Sequence, residues 1–243
     1  MALLPWSIVV SAEDYDFDDV ILKYNITSTE NHELSCAGFV DEHKYDTSVT
    51  IPGNVTYNNI TYTVKKIENG AFYHSNLISV YINDSDIETT STIFYGIRDI
   101  SGAFKECTNL KSVRLPEYVS NISEAFSGCT NLTQIYIPSV VDYMDHAFYG
   151  CTKLESVNWP QCSSIENSIN LNYAFYGCTE LQSISLPSSY TRDYFINMDY
   201  AFYGCSKLKS INMSNNKVTS LDHTFHDYIY DFSKTIYTTC CYW

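Results

Sequence analysis

The chain has 243 residues, a formal net charge of −14 at pH 7 and only 17% charged residues. An acidic surface of this kind repels the phosphate backbone of nucleic acids, so the composition argues against nucleic acid as a partner. No apolar run approaches the 18 or so residues that a membrane-spanning helix needs, so we expect no membrane span.

The first segment, residues 1–12, is largely apolar and ends in the small residues Val10-Ser11-Ala12. Such an ending is typical of a signal-peptidase site, although the basic opening of a secretion signal is missing. Two interpretations stay open: the remnant of a secretion signal, and a start that is vector-derived or wrongly assigned. The acidic run at 13–19 has alternating carboxylates that calcium would favour. It lacks the loop glycine and distal glutamate of an EF-hand, which favours a solvated leader.

Short β-strands are predicted before the main body of the sequence. Residues 48–52 and 55–64 are rich in Val, Ile, Thr and Tyr, the residue types typical of strands. Asn58-Asn59 is suited to a two-residue hairpin turn between the halves of the second stretch.

From residue 67 to residue 225 one phrase recurs, an Ala-Phe pair followed three residues after the phenylalanine by cysteine. Its phenylalanines are 32, 22, 22, 27, 27 and 23 residues apart. A period in the twenties is typical of a solenoid that contributes one structural coil per repeat. The pairs begin, with weaker copies first and last, at Ala71, Ala103, Ala125, Ala147, Ala174, Ala201 and Thr224.

Two short extended segments are predicted in each coil. After the cysteine comes Leu-x-x-Ile/Val-x-Leu/Ile, whose last two apolar residues are two apart and therefore point to the same side of a strand. A second apolar position lies three residues before each Ala-Phe and marks another extended segment. Its members are Ile100, Ile122, Met144, Leu171, Met198 and Leu221.

Nine cysteines occur, and five of them share one repeat position. That repetition predicts an inward column of reduced thiols that pack as small hydrophobes. The distance between coils would allow disulfides, but parallel side-chain directions disfavour them. Without a CxxC pair or a His–Cys cluster at zinc spacing, we expect no metal and no cofactor. This cysteine column is Cys107, Cys129, Cys151, Cys178 and Cys205, whereas Cys36, Cys162, Cys240 and Cys241 have no repeat role.

The full pattern, Ala-Phe-x-Gly-Cys-Thr-x-Leu-x-Ser-Ile-x-Leu-Pro, closely resembles the BspA-like leucine-rich repeat of bacterial and some protozoan surface proteins. The likeness covers roughly residues 64–225. It implies a β-rich, right-handed solenoid at 67–225, with a parallel sheet on the concave face and turns and short helical segments on the other. It also implies an N-terminal β cap at 13–66. Residues 226–243, rich in aromatic side chains, are either a C-terminal cap or a truncated repeat.

Catalytic chemistry is not indicated by the pattern of residues, so we expect that the protein is not an enzyme. His146 and His223 occupy the slot before the Ala-Phe or Thr-Phe pair, where Tyr173 and Tyr200 stand in other coils. A slot that accepts tyrosine is interpreted as a structural surface position. Three further tyrosines recur after Ala-Phe and are predicted to stack coil on coil as a ladder: Tyr149, Tyr176 and Tyr203.

Two surfaces are candidates for a partner. The first is the column of strand residues that point away from the core, whose types vary while their neighbours repeat. It consists of Tyr81, Arg114, Tyr136, Asn158, Ser185 and Asn212. The second is the set of insert loops at 83–99, 161–170 and 188–197, where Tyr190, Arg192 and Tyr194 are of the types enriched at interfaces. The alternatives are solvated sheet positions in the first case and neutral loop growth in the second.

The resemblance implies a secreted or cell-surface binding protein of the adhesin type, with an extracellular protein or glycan as its partner. A structural spacer or a self-assembling array, associating through its C-terminal end, is the alternative.

Overall fold

The computed structural model describes residues 7–9, 21–57, 59–84, 96–159, 162–163, 169–186, 188–189, 195–212, 217–220, 223–224 and 235–237. Within these residues the chain is a β-solenoid of about five turns with almost no helix, which confirms the predicted fold class. The described helical segment is a single 3₁₀ turn at Asp41–His43.

The strands are short, as expected where each coil contributes only one rung to a sheet. In chain order they are β1 (Ser7–Val9), β2 (Leu22–Ser28), β3 (Glu33–Phe39), β4 (Ser48–Ile51), β5 (Asn54–Tyr57), β6 (Ile60–Ile67), β7 (Ser79–Ile82), β8 (Ser112–Arg114), β9 (Gln134–Tyr136), β10 (Ser156–Asn158), β11 (Cys162–Ser163), β12 (Ile169–Asn170), β13 (Ser183–Ser185), β14 (Ser188–Ser189), β15 (Phe195–Asn197), β16 (Ser210–Asn212), β17 (Lys217–Ser220) and β18 (Thr235–Tyr237).

The N-terminal part forms a five-stranded sheet in the order β1-β2-β3-β6-β5. Strands β5 and β6 are antiparallel, with Tyr57 opposite Ile60, which confirms the hairpin predicted at Asn58-Asn59. Strand β4 belongs elsewhere, because it pairs in parallel with β7 and so begins the main sheet of the array.

Three parallel ladders of backbone hydrogen bonds join successive coils. The first runs through β4-β7-β8, β9-β10 and β13-β16-β18. The second continues from Lys66 through single bridges at Asp99, Asn121 and Tyr143 toward β12-β15-β17. The third passes through the turns, where the amide of Phe104, for example, donates to the carbonyl of Ala125 at 3.0 Å.

Phenylalanine rings form the centre of the core. They are stacked nearly parallel from coil to coil, with centroids 5.1–5.7 Å apart and interplanar angles of 3–10°. Aromatic burial on this scale supplies most of the apolar area that a single coil cannot bury by itself. The rings belong to Phe72, Phe104, Phe126, Phe148, Phe175 and Phe202.

The cysteine column is buried, and its five thiols are free, as predicted. Each Sγ donates to the phenylalanine carbonyl of the preceding coil; Cys151 reaches the Phe126 oxygen at 3.1 Å. Burial raises the pKa of Cys107, Cys129, Cys151 and Cys178, so these thiols are protonated donors. The thiols therefore link coils by hydrogen bonds as well as filling space.

Each Ala-Phe pair lies between two residues with left-handed backbone. The second of these positions is Gly150 in one coil, with φ of 71°, and Glu106 in another, with φ of 60°. The first is Gly70 in an early coil, yet Tyr173 and Tyr200 occupy it later with φ of 53° and 55°. Left-handed backbone costs a residue with a Cβ about 1–2 kcal/mol relative to glycine.

Candidate binding surfaces

The strand column lies on the outward side of the first ladder, with its side chains exposed. Pairing in register places Tyr81 opposite Arg114, and the other four residues face each other in two further pairs. Tyr136 lies opposite Asn158 and Ser185 opposite Asn212. The parallel ladders thus bring the predicted residues together as neighbours on one face.

Tyr81 and Arg114 contact each other directly. The guanidinium lies 4.7 Å from the centre of the tyrosine ring and also donates a hydrogen bond to the tyrosine hydroxyl. This cation–π contact restricts the rotamers of two long side chains before any partner arrives. The sequence placed Tyr81 and Arg114 at the same repeat position, but residue types alone did not show that the two side chains touch.

Tyr136 is the more exposed of the two aromatic side chains of this column, with 53% of its surface accessible. Its neighbour Ile135 is 2% accessible, so the strand alternates between core and solvent. The column also extends to Thr50, which pairs with Tyr81. The Ser-Val-Thr-Ile pattern of β4, similar to Ser-Val-Tyr-Ile in β7, is the signal that would have identified Thr50.

The second candidate surface cannot be placed in the same way. Tyr190, Arg192 and Tyr194 lie outside the described residues, as do most of the insert loops. The acidic run at 13–19 and most of residues 226–243 also lie outside them.

The slot that contains His146 forms a ladder of stacked rings that sequence reasoning missed. The rings of His146 and Tyr173 are 4.5 Å apart, those of Tyr173 and Tyr200 are 4.7 Å apart, and those of Tyr200 and His223 are 4.7 Å apart. All four residues have positive φ. Recurrence of aromatic residues in one repeat slot was the signal available in the sequence.

A second ladder runs beside the first and was predicted from the sequence. The rings of Tyr149, Tyr176 and Tyr203 stack at 4.7 and 4.8 Å with interplanar angles of 9° and 7°. Together the two ladders line an open groove of about 770 Å³. We call it the aromatic groove.

Carboxylates surround the aromatic groove. Glu106 and Glu124 line one end with Lys105, whose Nζ lies 2.6 Å from the Glu124 carboxylate. The hydrogen bond from Lys105 lowers the pKa of Glu124, although desolvation opposes it. At its side, Asp145 contacts the His146 ring nitrogen at 2.8 Å.

In the part of the chain that the structure describes, no group of three or more His, Cys, Asp or Glu residues is arranged to hold a metal ion. Within the same residues, no helix is long and apolar enough to cross a membrane.

Comparison with known proteins identifies the repeat. Residues 43–101, 100–172 and 146–230 match the family described as BspA type Leucine rich repeat region, with six copies. No curated protein matches.

Solved structures of leucine-rich repeat proteins from several bacteria are similar to this chain. A leucine rich cell surface protein from Faecalibacterium prausnitzii is 25% identical, with a TM-score of 0.53 over 84% of this chain and 55% of its own. The T. pallidum leucine rich repeat protein is 19% identical with a TM-score of 0.58, over 85% of this chain and 89% of its own.

A leucine-rich repeat protein from Bacteroides ovatus is 27% identical with a TM-score of 0.48, over 84% of this chain and 58% of its own. This chain therefore spans little more than half the length of the Bacteroides and Faecalibacterium proteins.

Proposed function

The chain belongs to the BspA type leucine rich repeat family, and from this premise we propose that it is a non-enzymatic binding protein of the adhesin type. Its place is outside the cell or at the cell surface, and the support for this is that the similar Faecalibacterium protein is a cell surface protein. Its partner is an extracellular protein or glycan, bound through the strand column.

The observation that carries this proposal is the arrangement of large side chains on a repetitive scaffold. Tyr81 and Tyr136 stand exposed on strands whose neighbouring residues are buried in the core, and Arg114 stands exposed beside Val113, which packs partly buried against the core. Aromatic and arginine side chains supply most of the energy of typical interfaces. Anchors on rigid strands lose little conformational freedom on binding, which favours affinity.

Small polar residues complete the surface beyond these anchors. Asn158, Ser185 and Asn212 offer hydrogen-bond donors and acceptors without blocking access to the sheet. A partner that spans several coils would therefore meet large anchors at one end of the column and a flatter polar strip at the other. Extended surfaces of this kind are the usual binding sites of repeat arrays.

A binding screen tests the proposal. The purified chain is immobilised and exposed to a panel of extracellular-matrix proteins and glycans, and binding is measured by surface plasmon resonance. The Tyr136→Ala/Arg114→Ala variant, immobilised in the same way, serves as the matched control. We expect at least one panel member to bind the unaltered protein and to bind the variant at least tenfold more weakly. Binding to no member, or equal binding to both surfaces, contradicts the proposal.

The alternative, a self-assembling scaffold, gives a different result in solution. Light scattering after size exclusion measures the molar mass of the protein from micromolar to near-millimolar concentrations. A mass that stays at one value supports a dedicated binder. Growth with concentration, together with a negative screen, supports the scaffold.

A further inference from the structure

We propose that the aromatic groove is a second binding site, and that it takes a proline-rich peptide in the polyproline II conformation with basic residues at one end. The groove lies on the turns that contain the Ala-Phe pairs, whereas the strand column lies on β7 to β16. The two surfaces share no residue. The inference therefore stands apart from the proposed function.

Backbone strain at the groove points to a role beyond packing. Gly70 occupies the first left-handed position of an early coil, where a Cβ would have open space around it. His146, Tyr173 and Tyr200 occupy the same position in successive later coils, although each carries a Cβ that disfavours this conformation. From Glu124, with φ of 54°, to His223, with φ of 55°, each residue at this position carries a Cβ and has a side chain that lines the groove. Strained residues of this kind cluster at binding sites.

The stacking of the rings decides which of their atoms meet a ligand. Each inner ring lies nearly parallel to its neighbours; Tyr176 stacks between Tyr149 and Tyr203 at 4.7 and 4.8 Å. Its faces are therefore covered, and CH–π stacking of a sugar or cation–π binding would find no open face there. Ring edges and hydroxyl groups are left for the ligand. Both attract the negative ends of carbonyl dipoles.

A polyproline II peptide offers carbonyls in the matching arrangement. It has no internal hydrogen bonds, so its carbonyl groups are all free to accept them. It completes a turn in three residues, or about 9.3 Å. Two steps along the ladder, from Tyr149 through Tyr176 to Tyr203, advance about 9.5 Å at 4.7 and 4.8 Å a step. Equivalent groups of the peptide would therefore meet every second tyrosine ring of the ladder. Aromatic-lined grooves are the usual sites for such peptides.

The charges around the groove favour basic residues at one end of the peptide. Glu106 and Glu124 line one end of the groove, with Lys105 as the opposing cation. Asp145 lies beside His146. Carboxylates thus outnumber cations around the rings, on a chain whose net charge is −14. Arginine or lysine beside the proline run would complement this field.

Fluorescence polarisation with a defined probe tests the inference. The probe is a labelled peptide of two arginines followed by ten prolines. Its control replaces the prolines by alternating glycine and serine, which keeps charge and length but not the preformed helix. We expect saturable binding of the proline probe, with at least tenfold weaker binding of the control. We also expect binding to weaken as salt rises.

Substitutions assign the binding to the groove. Y176A should weaken the proline probe at least tenfold, and E106Q should reduce the salt dependence. Y176F keeps the ring stack and removes only the hydroxyl, so it should weaken binding about threefold with the fold intact. Y45A removes another exposed tyrosine, far from the groove residues in sequence, and should bind as the unaltered protein does.

Three results would overturn the inference. The first is no binding of the proline probe by the unaltered protein. The second is equal affinity for the proline and glycine–serine probes. The third is binding of a soluble oligosaccharide, but not of the peptide, by the unaltered protein, together with loss of that binding in Y176A. That result would make the groove a glycan site.

Discussion

The buried thiols predict that the protein loses stability steeply at alkaline pH. Burial raises the pKa of Cys36 to about 12 and holds the pKa of Cys107, Cys129, Cys151 and Cys178 above the ordinary thiol value. A group whose pKa is raised on folding stabilises the folded state fully below its unfolded pKa. That stabilisation is lost as the pH rises above the unfolded value, because only the unfolded chain then releases its protons.

The magnitude follows from the number of thiols. At one pH unit above the ordinary pKa, each thiol that stays protonated in the folded state costs about 1.4 kcal/mol of stability. Cys36, Cys129, Cys151 and Cys178, whose pKa is raised furthest, would together cost on the order of 6 kcal/mol, since each loses about 1.4 kcal/mol. That is comparable with the whole stability of a typical domain, about 5–15 kcal/mol.

Urea unfolding in the presence of a reductant measures this effect. The free energy of unfolding, followed by circular dichroism between pH 7 and pH 10, should fall with a slope that steepens above the ordinary thiol pKa. A Cys129→Ala variant is the matched control. It removes one of the protons that unfolding releases, so its free energy of unfolding should depend less steeply on pH. It also lacks the hydrogen bond to the Phe104 carbonyl, a loss that is the same at every pH. A free energy that is independent of pH across this range would refute the buried, protonated column.

Three further predictions concern single positions or classes of residue. Thiol labelling of the native protein should miss the cysteine column, whereas labelling after denaturation should find all five; rapid native labelling would contradict their burial. Phe148→Ala should cost about 3–5 kcal/mol in chemical denaturation, because its ring is fully buried between Phe126 and Phe175. Arg114→Ala should cost at most about 1 kcal/mol, the worth of an exposed cation–π contact, and equal losses would refute the inward and outward assignment. The hydrogen bond from Lys105 holds the pKa of Glu124 below its ordinary value, so the unfolding midpoint should fall as the pH drops below the ordinary glutamate pKa and the pair is lost. Glu124→Gln should flatten this fall, and an unchanged pH profile in that variant would contradict the pair's contribution.

Repetition is the reason that the core was predictable. Cys151 and Phe148 recur at one phase in successive coils, and residues at one phase must stack when coils stack. The same argument predicted the ladder of Tyr149, Tyr176 and Tyr203. These features depend only on side-chain type and spacing.

The left-handed backbone at the position before each Ala-Phe pair, and the contacts between side chains of the strand column, were not predictable from residue type. Tyr173 before an Ala-Phe pair gives no sign that its φ is 53°, since tyrosine rarely adopts that conformation. The contact of Tyr81 with Arg114 depends on the pairing of β7 with β8 across a long insert. The variation of residue type along the strand column indicated a binding surface, but it did not show which of its side chains contact each other. The sequence revealed only half of the aromatic groove. It predicted the ladder of Tyr149, Tyr176 and Tyr203, but not the neighbouring ladder that begins at His146.

The most direct test of the central claim, that outward strand residues bind a macromolecule, is one affinity ratio. The dissociation constant for the panel member that binds is measured for the unaltered protein and for Tyr136→Ala/Arg114→Ala. We predict a ratio of at least about tenfold, or roughly 1.4 kcal/mol, with an unfolding midpoint that shifts no more than the lost Tyr81–Arg114 contact allows. Equal dissociation constants would contradict the claim, most clearly if a variant of the loop residues Tyr190, Arg192 and Tyr194 failed to bind.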